Sequence, residues 1–265
     1  AQAEAAAALA ALDPSMEAHQ RTVLDAGAVS ALVAMLKSGA TSAHAAVSLA
    51  LANVARVGPA EVQRAISAAG ALPSLVSLLS VASTQAPAAA ALAALAGCGG
   101  AAQDAIAAAG AIAPLIGILN GLSADAHAQA AATLAALAAG NGATQTAIAK
   151  AGALPPLLSL LSAPTRSQLA AQASAVGAVT SLVTAHAENQ DALAKLGGLA
   201  PLLALLEHDE PRTAADAAVA VSEACNHHGA NQSLVVEAGG IERLAVLLKA
   251  VGSQDVLKAQ AARAL

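Results

Sequence analysis

The sequence of 265 residues contains no Phe, Tyr or Trp and only two cysteines, and charged residues make up 11 % of it. Each shortage excludes something. Nucleic-acid binding draws on a basic track along the phosphates, and on single strands also on aromatic platforms for the bases. Here 12 Lys and Arg stand against 17 Asp and Glu, and no Lys or Arg falls between Arg64 and Lys150. A nucleic-acid partner is not expected. A membrane span needs roughly 20 apolar residues in an unbroken run. The apolar stretches are shorter, rich in Ala and interrupted by Gly and Pro, so no direct membrane insertion is expected. The sequence does not open on Met, and no basic stretch precedes the apolar run at 5–12, which makes that run a poor secretory signal.

What is present in excess is alanine, roughly three residues in ten. Ala is the best helix former and loses no side-chain entropy in a helix, so the composition leans to an all-α fold. One phrase organises the chain. Residues 151–161 read AGALPPLLSLL, and variants begin at Ala26, Ala69, Ala109, Leu196 and Ala238. The glycines that mark them are Gly27, Gly70, Gly110, Gly152, Gly197 and Gly239, separated by 43, 40, 42, 45 and 42 residues. That period is the one expected of solenoid repeats with two or three helices each.

Between the marker phrases the spacing of apolar residues predicts a short, a medium and a long helix per unit. In the first unit these are helices over 17–25, 29–37 and 43–56, with the break at Ala26-Gly27, a turn over 38–41, and Val47, Leu51 and Val54 on one face of the long helix. A helix over 3–12, stopped by Asp13-Pro14, closes a preceding unit over 1–15. Further units follow at 16–56, 57–98, 99–140, 141–185 and 186–226. An incomplete one spans 227–265 and begins a third helix over 255–265. All belong to one continuous solenoid domain, because each repeat contacts only its neighbours. Pro73, Pro114, Pro155, Pro156 and Pro201 fall just after the glycine, where the first turn of a helix tolerates a missing N–H. The turns ahead of the third helices, such as 163–165 and 209–211, carry polar residues or Pro. Cys98 and Cys225 lie three repeats apart, too far for a disulfide. Two free thiols fit a reducing, intracellular setting, whether cytoplasm, organelle or cilium.

The pattern of AG(A/G), an apolar residue, often Pro-Leu, then Leu-Leu, a polar turn, an alanine-leucine third helix and a short Gln- or Asn-bearing helix resembles the armadillo repeat. It is closest in phrasing to armadillo proteins of plant and algal type. The resemblance covers essentially the whole chain and implies a right-handed α-solenoid with three helices per repeat, whose third helices line a groove for extended peptides or partner helices. HEAT repeats are the runner-up fold. Import-adaptor-like members read basic peptides with a ladder of Trp and Asn. Aligned on the marker glycines, the Asn position holds Ala11, Asn53, Ala94, Ala136, Ser181 and Glu223. The Trp position, four residues earlier, holds Ala7, Leu49, Ala90, Ala132, Gly177 and Val219. Only Asn53 matches, so recognition of basic signals does not carry over, and the Lys- and Arg-rich groove of catenin-like members is missing too. Ala46, Gln129, Ser174 and Asp216 sit about one turn before the Trp position. The candidate protein-binding groove is therefore floored by small or apolar residues, and the partner must bring the bulk.

No chemistry-bearing constellation emerges. Gly97-Cys98-Gly99-Gly100-Ala101-Ala102 imitates a dinucleotide fingerprint, but an alanine-rich helix rather than a strand precedes it. Glu223, Cys225, His227 and His228 lack a second pair at metal-ligand spacing. His44 and His127 occupy equivalent places, which suggests a structural or rim role. The acidic turn 207–210 reads as a solvated loop that also places negative charge before the next helix. No catalytic residue, cofactor or metal is expected. The expectation is a non-enzymatic scaffold for a protein or peptide partner, itself part of a larger complex. The alternatives are a structural subunit of a ciliary or photosynthetic assembly, or the substrate-binding region of a larger regulator such as a U-box ubiquitin ligase.

Overall fold

The computed structural model describes residues 2–11, 27–38, 43–57, 60–162 and 165–250. The expected helices over 17–25 and 255–265, the stop at Asp13-Pro14, and parts of the turns at 38–41 and 163–165 lie outside the described residues. Among the described residues there are 17 α-helices and no strand. The chain forms two compact units, 1–137 and 138–265.

The first unit holds α1 (Gln2–Ala10), α2 (Ala28–Lys37), α3 (His44–Val57), α4 (Ala60–Ala68), α5 (Leu72–Leu78), α6 (Gln85–Ala96), α7 (Gly100–Ala108), α8 (Ile112–Leu119) and α9 (Ala124–Ala138). The second holds α10 (Gly142–Lys150), α11 (Leu154–Leu161), α12 (Leu169–Val183), α13 (Ala187–Lys195), α14 (Leu199–Ala204), α15 (Pro211–Cys225), α16 (Gly229–Glu237) and α17 (Gly240–Ala250). Long third helices pack on one another. In the first unit α3 lies between α1 and α6, and in the second α12 packs on α15. Their contact faces are small: Val47, Ala50, Leu51 and Ala88, Ala91, Leu92 on one side, Ala175, Ala178, Val179 and Ala214, Ala217, Ala218 on the other, all buried. Thr133 is fully buried and donates its hydroxyl to the Ala89 carbonyl at 2.9 Å, tying α9 to α6.

The marker glycines explain the repeated phrase. All six have φ between 69° and 84°, the left-handed region that costs a residue with a Cβ energy. At Gly110 the N–H of Ala111 reaches Ile106 O and that of Gly110 reaches Ala107 O. This is the two-bond closure that satisfies the last carbonyls of a helix. The same pair recurs at Gly70, Gly152 and Gly197. The helices on either side of Gly110 meet at 79°. A second left-handed site follows α9, α12 and α15, at Gly140 (φ 67°), Ala185 (φ 53°) and His227 (φ 56°). The first uses the residue suited to it, and the other two do not.

The first turn of the third helices is also tied down. His44 Nε2 lies 3.2 Å from Ser38 O, Thr84 donates to Leu78 O at 2.8 Å, and Gln172 donates to Leu161 O at 2.8 Å. Each bond joins the end of a second helix to the start of the third. His127 occupies the same place on α9, equally buried, but neither ring nitrogen has a partner. His44 and His127 are thus buried structural positions and not rim residues.

Two stability measurements follow. Leu157 is fully buried on α11, so Leu157→Ala should cost about 2–5 kcal/mol in a denaturant titration. Ala185→Gly should instead stabilise by up to about 1 kcal/mol, because it relieves a left-handed alanine on the surface. The midpoint should rise without a change in slope.

Candidate protein-binding groove

The candidate residues fall on the third helices, as their register requires. In the first unit Ala46, Leu49 and Asn53 lie on α3, Ala90 and Ala94 on α6, and Gln129, Ala132 and Ala136 on α9. All are half-buried except Leu49, which is 43 % exposed. Their helical neighbours at 50, 91 and 130 are fully buried. One strip of each helix therefore reaches solvent while the rest packs. Asn53 Oδ1 accepts from Arg56 Nη2 at 3.3 Å, an i,i+3 contact on the helix surface. No charged side chain stands among these eight positions.

In the second unit Ser174, Gly177 and Ser181 lie on α12, and Asp216, Val219 and Glu223 on α15, all half-buried. This strip has two carboxylates. Burial pushes the Asp216 carboxyl above its ordinary range, although Arg212 lies 3.8 Å away and pulls it down; Glu210 adds to the rise. The acidic turn 207–210 edges a cavity of about 580 Å³ floored by Leu206, Ala214, Val246 and Leu247. Glu210 caps nothing with its side chain, but its Oε2 accepts from the Thr213 hydroxyl at 2.8 Å in the first turn of α15.

Sequence reasoning did not find the side-chain amides behind the strip. The short first helices carry Gln103, Gln145 and Gln190 at one equivalent position, nearly fully buried. Gln103 donates to Ala136 O at 2.8 Å. Gln145 donates to Ser181 O at 2.7 Å and Thr184 O at 3.0 Å, and Gln190 to Glu223 O at 2.7 Å and Asn226 O at 3.2 Å. One residue earlier, Asn189 and Asn231 reach the preceding third helix at Leu182 O and Ala224 O, both at 2.8 Å. The recurring Gln- or Asn-bearing helix was the available signal, but the carbonyls its glutamines reach are about 35 residues away in sequence.

First helices are capped in the same zone. Asn141 Oδ1 accepts from the N–H groups of Ala143 and Thr144 at 3.1 and 3.2 Å. His186 and His228 take that place in the next two repeats, each ring Nδ1 accepting from the N–H three residues on. Their Nε2 atoms lie 2.8 Å from Thr146 Oγ1 and 3.0 Å from Asp191 Oδ1, linking successive first helices. Among the described residues no group of three His, Cys, Asp or Glu could hold a metal ion. An α-helix, α6, precedes the glycine-rich stretch at 97–102.

Both cysteines are free thiols. Burial alone raises Cys225 to about 11, and burial also raises Cys98, with a backbone hydrogen bond opposing. The thiolate is the reactive form, so both should be slow nucleophiles near neutral pH. With iodoacetamide at pH 8, peptide mass spectrometry should find the exposed Cys98 modified first. The rate at Cys225 should keep rising with pH towards 11.

A family model described as the SIL1/FES1/HPBP1 C-terminal domain matches residues 101–220, less than half of the chain. No curated protein matches it. The fold is similar to the crystal structure of an engineered protein, with a TM-score of 0.87 and 30 % identity over 99 % of this chain. The chain spans 63 % of that protein's length. It is also similar to a designed armadillo repeat protein, YIII(Dq)4CqI, with a TM-score of 0.76 and 28 % identity over 84 % of this chain and 92 % of that one. Another designed armadillo repeat protein, solved in complex with the peptide (KR)4, shows a TM-score of 0.74 and 25 % identity over 83 % of this chain and 90 % of that one.

Proposed function

The chain is an all-α solenoid of armadillo repeats, and we propose that it works as a non-enzymatic scaffold whose third helices receive a segment or helix of a protein partner. The observation that carries this reading is the strip itself: the candidate positions on α3, α6, α9, α12 and α15 reach solvent while their neighbours are buried. The designed neighbour bound to (KR)4 supports peptide binding on this fold. Its basic ligand suits the first unit poorly, since the strip there carries no carboxylate to pair with it. Ala90, Ala94, Ala132 and Ala136 let a partner backbone come close, and Leu49 adds an apolar contact. Binding there depends on apolar burial, worth roughly 25 cal/mol per Å² before association costs. The two unpaired thiols support an intracellular, reducing location.

The test is photocrosslinking from residues 94 and 136 in extract of the native source, followed by affinity measurement with the protein recovered. Ala94→Glu and Ala136→Arg should each weaken binding at least about tenfold, by placing an unpaired charge in an apolar contact. The parent affinity should change little with salt, since few charges are there to be screened. Unchanged affinity in both folded variants would move the site off these helices. A parent affinity that collapses in salt would move it to the charged turn at 207–212.

A further inference from the structure

The last turn of an α-helix leaves carbonyls without an intrahelical partner, and burial makes that costly. Across the end of α15 the four carbonyls from Glu223 to Asn226 each accept a side-chain amide: Gln190 serves Glu223 and Asn226, Asn231 serves Ala224, and Gln232 serves Cys225. On α12, Gln145 serves Ser181 and Thr184, and Asn189 serves Leu182. Asn189 and Asn231 also lie 3.4 and 3.2 Å from the Gln145 and Gln190 carbonyls, so the clamps join into one ladder through the first helices. The nitrogen of Gln145 and of Gln190 faces two carbonyls each, an arrangement that needs the NH₂ at that end and rules out a carboxylate. A neutral amide fills the site without burying an unpaired charge.

We propose that Gln145 and Gln190 are positioning residues of the binding strip, holding Ser181 and Glu223 at a fixed spacing by gripping their own carbonyls. The inference rests on the reading of the strip as a binding surface, but its mechanism lies outside the strip. Local sequence alone holds these helix ends weakly. Both α12 and α15 run into a left-handed residue with a Cβ, at Ala185 and His227. α12 also carries Gly177 midway, which lowers its intrinsic helicity. The ends are held from outside, by the first helix before and the first helix after. A change at a buried glutamine that touches no partner therefore alters where two strip residues stand relative to each other.

The experiment measures that spacing directly. Spin labels are placed by Ser181→Cys and Glu223→Cys in a full chain carrying Cys98→Ser and Cys225→Ser, and the distance distribution is read by double electron–electron resonance in frozen solution. Gln190→Met and Gln145→Met keep side-chain length and remove the donors. With helical content equal to the parent by circular dichroism, each should broaden the distribution roughly twofold, reflecting a loosened last turn. A merely stabilising role would lower the melting temperature and leave the distribution as in the parent; that result overturns the proposal. Should the Met variants fail to fold, Gln190→Asn keeps a donor one methylene short, and a parental width in that folded variant overturns it equally. No partner enters the measurement, so a partner that proves to bind elsewhere would defeat the strip reading and leave this result standing.

Discussion

A protein built from helices of 6 to 15 residues has many helix ends, and every end exposes backbone groups that its own helix cannot satisfy. How those groups are answered governs the rest of this structure. Three devices share the task. At Gly70, Gly110, Gly152 and Gly197 the left-handed glycine after a first helix returns two N–H groups to the carbonyls just passed. Asn141, His186 and His228 accept the free N–H groups at the start of the next helices. Buried glutamines and asparagines close the long third helices from neighbouring ones. The histidine caps, through their Nε2 atoms, and the third device cross from helix to helix, so the chemistry of helix ends is also the chemistry of repeat stacking.

The absence of aromatic residues fits the same scheme. Helices that carry Ala and Val at their contacts approach closely, and close approach keeps the amide clamps within reach. Gln190 spans from α13 to the end of α15 with bonds of 2.7 and 3.2 Å. Larger residues between these helices would push those carbonyls away and leave both sides unpaired. Small contacts bury little area each, so the fold relies on many of them rather than on a few large anchors. His127 shows the cost of a mismatch: it fills the place where Thr84 and Gln172 bond a carbonyl, and both ring nitrogens stay without one.

The two units present different strips from one repeat plan. Ala90, Ala94, Ala132 and Ala136 give the first unit a neutral, small-residue surface, whereas α15 brings Asp216 and Glu223 to the second. Backbone positions are equivalent; the side chains they present are not. Repeat proteins can vary their surface in this way because the strip side chains play little part in the stack, which is held by the buried faces and by backbone groups at the helix ends.

Much of this was legible without coordinates. Marker glycines at a period near 42 announce a chain reversal, since only a backbone relieved of its Cβ enters that turn cheaply, and three helices per repeat follow from the apolar spacing. α2 and α3 begin and end within one residue of the expected bounds. Val47, Leu51 and Val54 face the core as their spacing demands, because helical periodicity is local. The strip residues could be named from register for the same reason. What only the tertiary structure decided is long-range. That Gln145 would grip Ser181 and Thr184, that His228 would meet Asp191, and that His44 would find a carbonyl while His127 would not, depend on how helices dozens of residues apart come to rest side by side. A hydrogen bond is set by fractions of an ångström, and a sequence pattern resolves position only to a helix face.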